Sequence, residues 1–162
     1  MDNYQLANLI ISSAELLVII STAIIAFLTF KRNEKNKKRQ YVIELQKEFI
    51  NNDDLYIAMH IIEFKTGWYT NGEFYFNGEE SLEKKIDRLF IYLSNVINLY
   101  KKHDINTDEF NFFKYKINAV FDSKDACMYL SFINYFSKEC RQAPSSFQVL
   151  IDYGIENKKL VL

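Results

Sequence analysis

Four glycines and a single proline in 162 residues leave this chain with little to interrupt a helix. That scarcity favours long helices. Two cysteines, Cys127 and Cys140, lie thirteen residues apart on apolar-rich stretches and read as free, reduced thiols. With the two histidines, His60 and His103, they complete no zinc-type spacing. There is no Gly-rich phosphate loop and no paired-carboxylate motif. No metal and no cofactor are therefore expected, and the catalytic inventory is thin. His60, between Met59 and Ile61, is expected to be a packed or partly buried histidine.

What the chain has is one long apolar run. From Ala7 to Phe30 there is no Lys, Arg, Asp, Gly or Pro, and Glu15 is the sole charge. A basic cluster follows at once: Lys31, Arg32, Lys35, Lys37, Lys38 and Arg39. An apolar helix of about 20 residues matches a hydrocarbon core of about 30 Å. A secretory signal would place its positive charge before the apolar core, and here the order is reversed. Basic residues beside a span are retained on the cytoplasmic side. The pattern predicts a transmembrane helix with a basic edge over residues 1–39, a short N-terminal end outside, and a cytoplasmic helical domain over 40–162. The cluster would sit among anionic lipid headgroups, so membrane lipids are the expected partner. The net charge of −1 gives no reason to expect direct nucleic-acid binding.

Within the span, Asn8, Ser12, Glu15, Thr22 and Thr29 fall at spacings of four, three, seven and seven. At ~100° per residue they share a ~100° sector with Tyr4, Ile19 and Ala26. The other side carries Leu9, Leu16, Leu17, Ile20, Ile24 and Leu28, suited to lipid; Ser13 and Ser21 break the pattern. An ionisable group near mid-membrane costs ~2.5–3.5 kcal/mol on insertion scales. Glu15 must then face another helix, carry a proton, or snorkel to the outer interface. The near-heptad stripe favours self-association as a left-handed bundle, hence a homo-oligomer.

The remaining 120 or so residues suffice for one domain. Val42, Leu45 and Phe49 continue the first helix, and Asn51-Asn52-Asp53-Asp54 stops it and caps Leu55–Phe64. Residues 66–80 place Trp68, Tyr69, Phe74, Tyr75 and Phe76 around Asn71-Gly72, predicting an aromatic loop or small hairpin packed on the helices. Ser81 caps a helix from Leu82 to about Lys102 with the stripe Ile86, Leu89, Phe90, Leu93, Val96, Ile97 and Tyr100. Thr107 is expected to cap Asp108–Phe121, which carries Phe110, Phe113, Ile117 and Val120. After Asp122-Ser123, Lys124–Cys140 carries Met128, Phe132, Tyr135 and Phe136. Pro144-Ser145-Ser146 opens Phe147–Tyr153, and a tail starts at Gly154. The fold class is all-α, with 16% aromatic residues.

The helix Leu89-Phe90-Ile91-Tyr92-Leu93-Ser94-Asn95-Val96-Ile97-Asn98-Leu99-Tyr100 and the turn Asp104-Ile105-Asn106 follow a single span and basic edge. This layout resembles the small CRISPR-associated membrane accessory proteins of type VI-B (RNA-guided RNase) systems, which carry a degenerate HEPN-like helical domain. It is also similar to a broader group of bacterial membrane-anchored helical proteins. The resemblance covers nearly the whole chain. It implies a ring-like homo-oligomer in the bacterial inner membrane. The ring would form a pore and strengthen antiviral defence by perturbing the membrane once the RNA-guided RNase is engaged.

HEPN RNases use Arg-x4–6-His at a helix end, and the positions that carry over are Asn98 and His103. Asparagine supplies no charge for a phosphate, so an enzyme is not expected. The helix-end reading is that Lys101, Lys102 and His103 complement the dipole. Two rivals to the pore stand beside it: a membrane tether or scaffold docking a cytoplasmic partner, and a tethered RNase acting through His103.

Overall fold

A computed structural model describes residues 3–70 and 81–161, with side chains from residue 13 onward. The absence of breakers shows at once in α1, which runs uninterrupted from Asn3 to Asn51. Five more α-helices follow among the described residues: α2 (Asp53–Phe64), α3 (Leu82–Lys101), α4 (Thr107–Asp122), α5 (Lys124–Phe136) and α6 (Gln148–Glu156). A π-helical turn, Ser137–Arg141, extends α5. No strand occurs among the described residues. The Asn71-Gly72 turn lies outside them, and residues 66–70 form a bend and turn. The chain divides into two units, Met1–Tyr41 and Val42–Leu162.

The second unit is organised around α3. Its stripe of Ile86, Leu89, Phe90, Leu93, Val96 and Ile97 is fully buried, as its spacing predicts. Each such side chain contributes roughly 1.5–3 kcal/mol by leaving water. α3 packs on α2, α4 and α6, while α5 closes on α4 and α6. The end of α1 joins this core through Val42, Leu45 and Phe49, all buried. There the Tyr92 hydroxyl donates to the Leu45 carbonyl at 2.5 Å, with Phe49 5.8 Å from the Tyr92 ring. Aromatic contacts fill much of the remaining space: Tyr100 stacks on Phe110 at 4.1 Å, and Phe90 meets Phe147 edge-on at 5.5 Å.

Local chemistry explains the helix ends. Asn52 accepts from the Asp54 and Leu55 amides, so the Asn-Asn-Asp-Asp run both ends α1 and starts α2. Ser81 accepts from the Lys84 amide at the start of α3. The cap of α4 is Asn106, not Thr107: its side chain accepts from the Glu109 amide while Glu109 accepts from the Asn106 amide. This reciprocal box satisfies two otherwise unpaired donors, which Thr107 one position later could not do. Phe147 begins α6 without a side-chain cap, and the Leu150 amide instead donates to Ser94 Oγ on α3 at 3.3 Å.

Three expectations need correction. α5 is α-helical only to Phe136, and it buries Ala126, Tyr129 and Leu130; Met128, Phe132 and Tyr135 face outward. The Tyr129 hydroxyl reaches Asp87 on α3 at 2.8 Å, which selects that face. α6 does not stop before Gly154 but runs through it to Glu156, because Gly154 is where the helix presses on Phe121. His60 is exposed and lies against Phe64, with ring centroids 4.9 Å apart.

Trp68 is buried, and Tyr69 lies 5.6 Å from the Tyr129 ring, so the start of the aromatic segment packs on the helices. The turn is held by Asp125, which accepts the Gly67 amide at 2.6 Å; Gly67 has φ 75°, in the left-handed region.

Candidate functional site

The candidate site is the apolar part of α1. Every described side chain from Ser13 to Tyr41 is exposed, among them Leu16, Leu17, Ile24, Phe27 and Phe30 at 54–68%. The helix is long and apolar enough to cross a membrane, with a mean hydropathy of 2.1 over its most apolar window. Spanning the ~24 residues of the run at 1.5 Å each gives about 36 Å, enough for a bilayer core.

Glu15, Thr22 and Thr29 are exposed on this helix, as are Lys31, Arg32, Lys35, Lys37, Lys38 and Arg39, which continue it without a break. Asn8 and Ser12 lie on the same helix. Two hydroxyls bond back to their own backbone: Ser21 Oγ to the Leu17 carbonyl at 2.7 Å and Thr22 Oγ1 to the Val18 carbonyl at 2.8 Å. Such bonding lets Ser and Thr face hydrocarbon at little cost. Glu15 is different in kind. Its carboxyl is ionisable, and the uncharged side chains of Ala14, Val18 and Ile19 stand beside it.

Asn98 and His103 are placed at the end of α3. Asn98 is half-buried; His103 is exposed with φ 60° and takes the left-handed position just beyond the helix. The His103 amide donates to the Tyr100 carbonyl at 3.0 Å and the Asp104 amide to the Leu99 carbonyl at 2.9 Å. This pair of bonds closes a Schellman-type C-terminus. Among the described residues no side chain bonds to the His103 imidazole, and Lys101 is paired with Glu156 at 2.7 Å. His103 thus serves the helix end, in a place usually given to glycine or asparagine.

Other groups with altered acidity belong to the core of the second unit. Burial raises Asp87 above the usual carboxylate range; the Tyr129 hydrogen bond opposes this and Glu83 adds to it. Burial lowers Lys116, whose ammonium sits 4.5 Å over the Phe49 ring, and Glu63 partly restores it. Burial also raises the Cys127 thiol, with Asp122 adding to it, and Cys127 Sγ donates to the Phe121 carbonyl at 3.2 Å. A cleft of about 790 Å³ between α2, α4 and α5 mixes Glu63, Lys65, Asp122 and Lys124 with Tyr115 and Met128. No group of three His, Cys, Asp or Glu suited to a metal occurs among the described residues.

No family model, curated protein or solved structure matches this chain. Function has to be read from the chain's own chemistry. What sequence reasoning missed on α5 is the inward face, Ala126, Tyr129 and Leu130, because it settled on Met128, Phe132 and Tyr135. Its signal was present, as two apolar faces at helical spacing on one short helix.

Proposed function

We propose that this chain is a single-span protein of the bacterial inner membrane, with the basic edge and helical domain on the cytoplasmic side, whose copies associate through α1 to perturb the membrane. The observation that carries this reading is Glu15, an ionisable group on an apolar helix whose described side chains are all exposed from Ser13 to Tyr41. In hydrocarbon such a group costs ~2.5–3.5 kcal/mol unless a bundle interior or water column receives it. A neighbouring copy supplies both. Asn8, Ser12, Thr22 and Thr29 follow Glu15 along the same sector, so an α1 bundle would gather these polar groups inward. The resemblance to type VI-B accessory proteins extends the proposal: a pore-forming effector that strengthens antiviral defence beside an RNA-guided RNase, carrying a HEPN-like domain without RNase chemistry.

A plain tether is the second reading. Ser21 and Thr22 favour it, since both hydroxyls are satisfied within their own helix and need no neighbour. Ion flux through liposomes holding the full chain separates the two. The pore reading predicts flux that falls, or changes selectivity, in Glu15→Leu. Equal flux in an inserted, folded Glu15→Leu protein would remove Glu15 from the pathway, and no flux in either would leave the tether.

A further inference from the structure

The outward face of α5 has a pattern of its own. At ~100° per residue, Lys124, Met128, Ser131 and Tyr135 fall within about 60°, with Phe132 at their side. Met128, Phe132 and Tyr135 are 40, 45 and 64% exposed. Glu139 continues the face on the π-helical turn and is exposed, as is Lys124 at the other end. The order along the helix is therefore cation, apolar, small, aromatic, aromatic, anion.

That order is self-complementary. We infer that this face of α5 is an antiparallel, two-fold contact between copies of this chain, centred between Ser131 and Phe132. A two-fold axis there sets Lys124 against Glu139 of the other copy, Met128 against its Tyr135, and Phe132 against its Ser131. Each apposition suits the chemistry: opposite charges at the rim, thioether on aromatic, and a large side chain beside a small one. Methionine sulfur over an aromatic ring is itself favourable. The two-fold geometry forms both rim ion pairs at once, so the face prefers its own copy to an unrelated apolar surface.

The area sets the conditions. Fully exposed large side chains present about 150–250 Å² each, so the three cover roughly 300 Å² per chain. Free protein pairs bury about 800 Å² per partner. A contact this small holds only between copies already confined together, where effective concentration replaces area. The inference thus rests on the proposed association through α1, and it names the surface by which the second unit joins it.

The test uses the full chain in lipid nanodiscs, with Cys127→Ser and Cys140→Ser removing the native thiols. Ser131→Cys in that background lies at the axis and is oxidised; Asn95→Cys, exposed on α3, is the comparison. The expected result is a disulfide-linked dimer from Ser131→Cys and little from Asn95→Cys. Lys124→Glu should lower the yield about two- to five-fold, the scale of an exposed ion pair. Adding Glu139→Lys should restore it.

Equal linking at both cysteines, or no restoration by the double charge swap, overturns the contact. The mass of the same particles before oxidation reports the α1 association separately. An oligomer without Ser131→Cys linking overturns this inference alone, and a monomer without linking overturns both. A bimane label on Ser131→Cys that is quenched by spin-labelled lipid would assign the face to the bilayer and likewise overturn it.

Discussion

Gly154→Ala puts two opposed effects in direct competition. In an ordinary helix interior the exchange gains about 1 kcal/mol, because alanine loses less backbone freedom. Here a Cβ would lie 2.4 Å from Phe121 Cε1, 2.7 Å from Phe121 Cζ and 3.0 Å from Leu160 Cβ. Carbon atoms settle at about 3.5–4.0 Å, so the ring must retreat by more than ~1 Å. It has nowhere easy to go. Phe121 is 7% exposed and stacks on Tyr153 with centroids 6.4 Å apart, while Leu160 crowds the added methyl as well.

Overpacking of this kind costs about 1–3 kcal/mol, and the blocked ring argues for the upper half of that range. Subtracting the propensity gain leaves a net loss of about 1–2 kcal/mol. For a unit of this size, that lowers Tm by roughly 4–10 °C. The assay is thermal unfolding of the full chain in detergent, followed by near-ultraviolet circular dichroism. Gly154→Ala combined with Phe121→Leu should recover part of the loss by giving the methyl room. A Tm equal to or above that of the unaltered chain would refute the account of why α6 carries a glycine in its interior.

Two further outcomes follow from the core of the second unit. Asp125→Ala removes the acceptor of the Gly67 amide and should cost about 1.5–3 kcal/mol, the range for a bond to a charged group; Trp68, the sole tryptophan, should shift its emission to the red, and unchanged emission would mean the turn does not depend on that bond. Asp87 has its folded-state acidity weakened mainly by burial, so between the ordinary carboxylate range and the raised value the folded chain holds more protons than the unfolded one. Stability should therefore fall as pH rises through that window, and Asp87→Asn, which keeps an acceptor for Tyr129, should flatten the fall; an identical pH profile would contradict it.

The parts of the fold that could be read early were those where one pattern had no rival. The stripe of α3 repeats on one dominant face, and nothing between Lys31 and Phe49 can break a helix, so α1 runs on to Asn51. α5 was ambiguous for a physical reason. Met128, Phe132, Tyr135 and Phe136 fit helical spacing as well as Ala126, Tyr129, Leu130 and Ile133 do, and only packing against α4 and α6, with Tyr129 reaching Asp87 on α3, selects the second set. Asn106 and Thr107 are both capping residues; Glu109 three positions after Asn106 was the discriminating signal. Gly154 looked like a stop because local propensity says so, and its contact with Phe121, more than thirty residues away, overrides that. The polar stripe of α1 was legible as spacing, and Glu15 stands exposed on that helix.

The most direct measurement of the central proposal is the mass of the purified full chain in native nanodiscs, beside Glu15→Leu. The account predicts a discrete oligomer for the full chain. It also predicts a shift toward smaller species in Glu15→Leu, because leucine faces lipid at no cost and removes the reason for helices to meet. A monomer in both, with the second unit folded and α1 inserted, would contradict association through α1 and leave the tether.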